Sequence, residues 1–364
     1  MDRYLVLENG MIFKGKAFGA EGDVIAEIVF TTAMTGYMET LTDKSYYGQA
    51  VVQTFPLIGN YGTMTEDMES DRVSVSAYIV REWCDAPSNF RCEKDIDTFL
   101  KEKHIPGLYG IDTRALTRVL RENGTMNGMI TDDPARADLE QIRAYKITAA
   151  VDHVSDGEPV LIPAQEKRFT VAMLDFGRKD NIVRSLVKRG CDVWLMPYNT
   201  SPADVLEKHP DGLFLTNGPG DPAENTEVIA NLQELIKAKL PTMGICLGHQ
   251  LLALAHGFKT SKLKYGHRGA NQPVKNTETG SVYISSQNHG YAVVSESIDH
   301  EIAKELFVNV NDQTNEGLRY KKMPAFSVQF HPEACGGPKD TDFLFDEFIK
   351  LLEENKENEV SLCR

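Results

Sequence analysis

The segment Gly244-Ile245-Cys246-Leu247-Gly248-His249-Gln250 lies between two apolar stretches, the first typical of a strand and the second typical of a helix. Residues 241–243 before it fit the end of a short buried strand, and residues 251–255 after it fit an apolar helix. Gly-x-Cys-x-Gly between a strand and a helix predicts a nucleophile elbow, a sharp turn that presents one side chain from a crowded backbone position. Glycine is needed on both sides because a Cβ there would clash. The segment therefore predicts a strand–turn–helix unit with Cys246 as a covalent nucleophile for acyl transfer.

The nucleophile in this turn is a thiol rather than a hydroxyl. A thiolate at Cys246 would lie at the N-terminus of the following helix. Unpaired N–H groups and the helix dipole favour negative charge there.

Bulk properties restrict the class of protein. A length of 364 residues favours two domains, and 41% hydrophobic with 25% charged residues is typical of a globular enzyme. A net charge of −14 argues against nucleic acid and against an anionic membrane surface as partners. We see no membrane-spanning run and no secretory signal, and the six cysteines form no Cys-x-x-Cys pair. We therefore expect a cytoplasmic protein with reduced thiols and no metal site.

Two patterns of secondary structure divide the chain. Short apolar runs between turns fill the N-terminal part, whereas strands and helices alternate from Phe169 onward. We predict an α+β domain over residues 1–151, a linker over 152–168, a doubly wound, mostly parallel α/β domain over 169–353, and a polar tail over 354–364. A doubly wound sheet binds its ligands at the carboxyl ends of its strands, where Cys246 is predicted to lie.

A cysteine nucleophile that attacks an amide needs a base, and a third group usually orients that base. His331 is the best candidate because it follows an apolar strand directly, in Phe330-His331-Pro332-Glu333. In extended backbone, alternate residues face the same side, so Glu333 can hold the imidazole.

His249 is the alternative base, and His289 lies in a stretch with two interpretations. His249 lies three residues after Cys246 on the same helix, so we expect it to be a packed core side chain. His289, in Gln287-Asn288-His289-Gly290-Tyr291, falls in a polar stretch that predicts either a substrate-contacting loop or an ordinary turn.

The reaction also needs hydrogen-bond donors for an oxyanion. The backbone N–H of Leu247 is the first candidate. A second would come from Gly218-Pro219-Gly220, which follows another predicted strand. The sequence contains neither a Walker-type phosphate loop nor Gly-x-Gly-x-x-Gly after a strand, so we predict no nucleotide cofactor in this chain.

These motifs resemble those of the class I (triad) glutamine amidotransferases: Gly-Ile-Cys-Leu-Gly-His-Gln, a later His-Pro-Glu and an earlier Asn-Gly-Pro-Gly-Asp-Pro. The N-terminal half resembles the small subunit of carbamoyl-phosphate synthetase. The matching segments are Phe30–Tyr37, Leu41–Tyr46, Ile58–Gly62 and Ile111–Thr117.

The resemblance implies a small subunit that hydrolyses glutamine through Cys246, His331 and Glu333, by way of a glutamyl thioester. It implies glutamine binding by Ser45, Gly218, Gly220, Leu247, Gln250, Asn288, Gly290 and Tyr291. It further implies a heterodimer, or a higher assembly, with a large subunit. That subunit would use ATP, magnesium and bicarbonate to make carbamoyl phosphate for arginine or pyrimidine biosynthesis.

Two other functions were considered. A non-catalytic scaffold or regulatory subunit could keep the fold, but the intact set of Cys246, His331 and Glu333 weighs against it. A cysteine peptidase on an α/β sheet would share the elbow, but it would have no role for the N-terminal domain.

Overall fold

The computed structural model describes residues 1–155 and 157–362. Asp156, from the predicted linker, and Cys363 and Arg364, from the predicted tail, lie outside the described residues. The chain divides into two compact units, Met1–Ala150 and Val151–Arg364. Among the described helices, none combines the length and the apolar character that a bilayer crossing requires.

The first unit is built from nine strands and four α-helices. The strands are β1 (Asp2–Leu7), β2 (Ile12–Gly19), β3 (Val24–Thr31), β4 (Gln49–Gln53), β5 (Leu57–Ile58), β6 (Ala77–Val80), β7 (Glu82–Trp83), β8 (Pro106–Tyr109) and β9 (Met126–Thr131). The helices are α1 (Tyr37–Thr42), α2 (Ile96–Glu102), α3 (Thr113–Asn123) and α4 (Leu139–Ala144).

Seven of these strands close into a barrel in the order β1-β2-β8-β6-β4-β3-β9, and β9 pairs with β1. Closure leaves no unpaired strand edge. Successive residues of a strand face opposite sides, and both Val51 and Val52 of β4 are fully buried, so this strand is covered on both faces. The sequence predicts the α+β class of this unit, but not that its sheet closes.

A buried charge lies within this barrel. The Arg3 side chain is fully buried; its Nε donates to Asp132 Oδ1 at 2.8 Å, and its Nη1 donates to the Gly107 and Ala20 carbonyls at 3.1 and 3.0 Å. A second bond joins Arg3 Nη2 to Asp132 Oδ2 at 3.3 Å. The guanidinium is thus paired and hydrogen-bonded, as a buried charge must be.

The helix α5 (Ala150–Val154) precedes the elements of the second unit. Its strands are β10 (Val160–Ile162), β11 (Phe169–Asp175), β12 (Cys191–Pro197), β13 (Gly212–Leu215), β14 (Thr242–Ile245), β15 (Thr260–Asn276), β16 (Val282–Val293), β17 (Ala303–Asn309), β18 (Asn315–Tyr320) and β19 (Ala325–Val328). Its helices are α6 (Asp180–Lys188), α7 (Pro202–Glu207), α8 (Thr226–Leu235), α9 (Leu247–Ala255) and α10 (Phe343–Leu362).

These strands form one ten-stranded sheet in the order β10-β12-β11-β13-β14-β19-β18-β17-β15-β16. The run from β12 to β19 is parallel. Helices α7, α8 and α9 contribute to one hydrophobic core, and α6 and α10 contribute to the other. The parallel part is therefore doubly wound, as predicted, and β14 places the Cys246 turn at its carboxyl edge.

Beyond β19 the sheet continues with antiparallel strands, most of which the sequence did not reveal. The largest difference concerns residues 287–291, predicted as a loop or turn. They lie inside β16, which pairs with β15 across two register shifts. The segment is a strand despite its polar sequence because its backbone pairs with β15, and within β16 the Gln287 side chain hydrogen-bonds those of Ser285 and His289.

The structure also differs from the prediction at both ends of this unit. The expected linker contains β10, which pairs antiparallel with β12. The last helix continues to Leu362, past the end predicted at Glu353.

The barrel charge pair gives a test of the first unit. We expect Asp132→Asn to lower the free energy of unfolding by about 3–5 kcal/mol, because it leaves the buried Arg3 guanidinium uncompensated. The chain has two tryptophans, Trp83 in the first unit and Trp194 in the second. Urea unfolding followed by Trp83 fluorescence in a Trp194→Phe background measures the change.

Asp2→Asn is the matched control, because its partner Lys14 and Asp2 itself are both exposed. Its unfolding midpoint should stay at that of the parent. An Asp132→Asn midpoint equal to the control would contradict a structural role for the buried pair.

Candidate active site

Cys246 occupies the predicted elbow between β14 and α9. Its φ is 52° and its ψ is −104°, a strained combination for a residue with a side chain. A Cβ on Gly244 would lie 2.9 Å from the Gly248 carbonyl carbon, and a Cβ on Gly248 would lie 2.3 Å from the Leu215 oxygen. Both glycines are thus required by close backbone approach, and the predicted elbow is confirmed.

Backbone hydrogen bonds fix this turn to its two neighbouring strands. Cys246 N–H donates to Val328 O of β19 at 2.8 Å, and Gly248 N–H donates to Thr216 O after β13 at 2.9 Å. The first N–H groups of a helix have no partner within the helix. The N–H of Gly248 is already hydrogen-bonded to the Thr216 carbonyl. The backbone N–H next to the thiol in the first turn of α9 is therefore that of Leu247.

His331 and Glu333 lie together at the end of β19, as the alternation of side chains predicts. His331 Nδ1 and Glu333 Oε1 are 2.7 Å apart, and both side chains are buried. The backbone N–H of His331 donates to the Ser286 carbonyl at 2.9 Å, and this hydrogen bond joins the segment to β16. Asn181 Nδ2 donates to the Glu333 carbonyl. The imidazole is therefore held through its ring and through its backbone.

Lys179 is a member of this cluster that sequence reasoning missed. Its Nζ lies 3.3 Å from His331 Nδ1 and 3.4 Å from Glu333 Oε1, and the side chain is buried. Lys179 occupies the N-cap position of α6, shortly after β11 ends at Asp175. The signal was available: like Cys246, this lysine follows a parallel strand at its carboxyl end.

Charges in the cluster shift one another. Burial and the Lys179 charge lower the pKa of His331, but Glu333 and the Cys246 thiol outweigh them, and the pKa ends above its ordinary value. Burial raises the pKa of Glu333, yet His331 and Lys179 together bring it below its usual range. The geometry therefore favours an imidazolium paired with a carboxylate.

The thiol is buried beside this pair. Cys246 Sγ donates to Asn288 O at 3.6 Å, and His331 Nε2 makes no hydrogen bond within the described residues. The interaction with the Cys246 thiol contributes to the raised pKa of His331. One ring nitrogen is thus held by Glu333, and the other is left for the thiol or for a substrate.

The glycine loop predicted to supply a second oxyanion donor lies next to the elbow. A Cβ on Gly218 would lie 2.2 Å from Phe176 O and 2.8 Å from Leu247 Cδ2. Gly220 has a φ of 88°, which glycine adopts readily. The loop thus approaches Leu247 closely only because position 218 has no side chain.

The remaining predicted glutamine-binding residues fall in two places. Asn288, Gly290 and Tyr291 lie on β16 in the second unit, and the Gln250 Nε2 donates to the Tyr291 carbonyl at 2.8 Å and to Gln329 Oε1 at 2.9 Å. Ser45 lies in the first unit, in a short 3-10 helix over Lys44–Tyr46, where its N–H donates to Asp43 Oδ1 at 2.9 Å.

His249 is excluded as the base by its surroundings. It is fully buried, its Nδ1 lies 2.8 Å from Ser327 Oγ, and burial lowers the pKa of His249 to about 3. The prediction of a packed core histidine is confirmed.

Comparison with protein families matches both halves of the chain. Residues 5–130 match "Carbamoyl-phosphate synthase small chain, CPSase domain", and residues 172–351 match "Glutamine amidotransferase class-I".

Three relatives that match this chain over nearly its full length are carbamoyl phosphate synthase small chains. A carbamoyl phosphate synthase small chain of Clostridium perfringens is 51% identical over 96% of this chain and 99% of its own length. That of Bacillus thuringiensis is 50% identical over the full length of both chains. A pyrimidine-specific small chain of Halalkalibacterium halodurans is 48% identical, again over both full lengths.

The position of Lys179 gives a test of the site's electrostatics. Its positive charge disfavours the His331 imidazolium, so Lys179→Met should raise the pKa of His331 further. Titration of ¹⁵N-labelled histidine rings by NMR measures this, with His331→Asn used to assign the resonance. Lys188→Met removes an exposed lysine of the same helix and should leave the titration unchanged. A pKa of His331 that is unchanged or lower in Lys179→Met would contradict the geometry.

Proposed function

The chain belongs to the carbamoyl-phosphate synthase small-chain family, and we propose that it hydrolyses glutamine. In this proposal Cys246, His331 and Glu333 carry out the reaction. The observation that carries the proposal is the strained elbow of Cys246 beside the buried His331–Glu333 pair. A nucleophile, a base and an orienting carboxylate in this arrangement are what amide cleavage needs.

In the proposed first step the Cys246 thiol gives its proton to His331 Nε2, and Sγ attacks the side-chain amide carbon of glutamine. The carbonyl oxygen becomes an oxyanion, for which the N–H groups of Leu247 and Gly218 are the proposed donors. His331 then gives a proton to the amide nitrogen as the C–N bond breaks, and ammonia leaves a glutamyl thioester on Cys246.

The second step is hydrolysis of that thioester. His331 takes a proton from water, the resulting hydroxide attacks the acyl carbon, and the C–S bond breaks. His331 returns that proton to Cys246 Sγ, which restores the thiol as glutamate leaves. Glu333 holds Nδ1 throughout, so that Nε2 faces the reacting atoms.

Glutamine recognition is proposed for Ser45, Gly218, Gly220, Leu247, Gln250, Asn288, Gly290 and Tyr291, on their match to the family's motifs. The hydrogen bonds of Gln250 narrow its role. Its Nε2 is occupied by the Tyr291 carbonyl and Gln329 Oε1, so its own Oε1 is the group to accept from a substrate N–H.

We further propose that the ammonia passes to a large subunit that binds ATP, magnesium and bicarbonate and makes carbamoyl phosphate. The names of the relatives as small chains support such a division of labour. A scaffold that keeps the fold without catalysis would have no need of a strained cysteine beside a buried His–Glu pair.

Cys246→Ser tests the nucleophile in a complex with the large subunit. We expect glutamine-dependent carbamoyl phosphate synthesis to fall to background, while synthesis from added ammonia continues, because only the release of ammonia needs the thiol. Cys84→Ser, a half-buried thiol of the first unit, is the control and should retain both activities. Normal glutamine-dependent synthesis by Cys246→Ser would refute the proposal and favour another nucleophile.

The proposed coupling to a partner has its own test. We expect glutaminase turnover of the isolated chain to be low and to rise when the large subunit is added, since uncoupled hydrolysis wastes glutamine. A coupled glutamate assay at a series of large-subunit concentrations measures this. Equal rates with and without the partner would count against coupling, even if Cys246 proves essential.

A further inference from the structure

Three side chains of the antiparallel strands have the chemistry of metal ligands. His267 of β15, His289 of β16 and Glu316 of β18 are all buried, and one ligand atom of each lies within 4.8 Å of the others. His267 and His289 are opposite each other in the β15–β16 ladder. The sequence predicts no metal site because these residues lie far apart along the chain and in no known spacing.

The separations are close to those of a tetrahedral site. With metal–nitrogen and metal–oxygen bonds of about 2.0–2.1 Å, neighbouring ligands of a tetrahedron lie roughly 3.3 Å apart. His267 Nδ1 lies 3.3 Å from Glu316 Oε1, and His289 Nε2 lies 3.9 Å from the same oxygen. All three ligand atoms lie within 4.8 Å of one another, so the imidazoles would move toward the ion on binding.

The other nitrogen of each imidazole is held as metal-binding histidines usually are. His267 Nε2 lies 2.8 Å from Asp312 Oδ2, and His289 Nδ1 lies 2.8 Å from the Tyr291 carbonyl. A carboxylate or backbone carbonyl behind a ligating histidine fixes its tautomer and raises its basicity. Both histidines therefore present the remaining nitrogen toward Glu316.

Several acceptor atoms of this cluster lie close together. With His289 Nδ1–H donated to Tyr291 O, the neutral ring directs the lone pair of Nε2 at Gln287 Oε1, 3.2 Å away. The Gln287 amide is oriented by its Nε2, which donates to Ser285 Oγ. Glu316 Oε1 accepts from Asn309 Nδ2 at 3.3 Å, whereas Glu316 Oε2 is buried and makes no hydrogen bond within the described residues. A cation among these atoms would satisfy them together.

We propose that His267 Nδ1, His289 Nε2 and Glu316 Oε1 form a binding site for a divalent transition-metal ion, with zinc as the best match. Two imidazoles and a carboxylate are a set that zinc accepts readily. Gln287 Oε1 or water would take the fourth position. Binding displaces the Nδ1 proton of His267 to solvent and joins β15, β16 and β18.

Direct metal analysis of the unmodified full chain tests the site. The purified protein is loaded with Zn²⁺, dialysed, and measured by mass spectrometry and by X-ray absorption at the zinc edge. We expect one tightly held ion per chain with a nitrogen and oxygen shell that includes imidazole. Cys246→Ser should bind equally well, which separates this site from the thiol.

Asp312→Asn is the variant that tests the proposed ligands with little risk to folding, because the Asp312 side chain is nearly half exposed. It should weaken Zn²⁺ binding by roughly 10–100-fold in competition with a chromophoric chelator. Glu316→Gln should weaken it at least as much. Glu296→Gln, an exposed carboxylate of the same unit, should leave the affinity unchanged.

Three results would overturn the proposal. One is no retained zinc in the unmodified chain. Another is a sulfur ligand in the absorption spectrum that disappears in Cys246→Ser, since the ion would then lie at the candidate active site. The third is equal affinity in Asp312→Asn and Glu316→Gln. Because each readout is binding, none depends on whether the chain hydrolyses glutamine.

Discussion

The close backbone approach at Gly244 and Gly248 is the constraint on which the candidate active site depends. Neither position has room for a Cβ, and the chain passes between them with Cys246 at a positive φ. Strain of this kind costs of the order of 1–3 kcal/mol and persists only where the surroundings fix it. Here hydrogen bonds to Val328 and Thr216, on both neighbouring strands, fix the turn.

The candidate active site also depends on the balance of buried charges around His331. Each of Lys179, His331 and Glu333 is buried, and burial alone would neutralise all three. For Glu333 and His331, pairing at 2.7–3.4 Å outweighs the effect of burial. The pKa of the carboxyl group is lowered and that of the imidazole is raised. Such a cluster contributes little to folding but holds the imidazole in one orientation, which proton transfer requires.

Much of this arrangement could be predicted from the sequence, because strong local patterns carry it. The elbow at Cys246, the side-chain alternation that brings Glu333 to His331, and the succession of strands and helices that predicts a parallel sheet around β14 are all patterns within short segments of the chain. The roles proposed for these residues stay predictions. Lys179 was missed because a lysine after a strand normally faces water, and only the fold turns it inward. Barrel closure and the polar strand β16 depend on pairings between distant segments, which no local pattern records.

The polar strand β16 explains why the candidate active site lies where the parallel and the antiparallel parts of the sheet meet. The parallel strands end in the elbow and in the segment that carries His331, and the antiparallel strand β16 supplies the Asn288 carbonyl that accepts from the thiol. A strand that places polar groups beside a buried thiol must itself bury amides and imidazoles, and each needs a partner. Around His331 the partners are Glu333 and Lys179. Around His289 the neighbouring groups include two acceptors, Gln287 Oε1 and Glu316 Oε1, and this is where the proposed metal ion would lie.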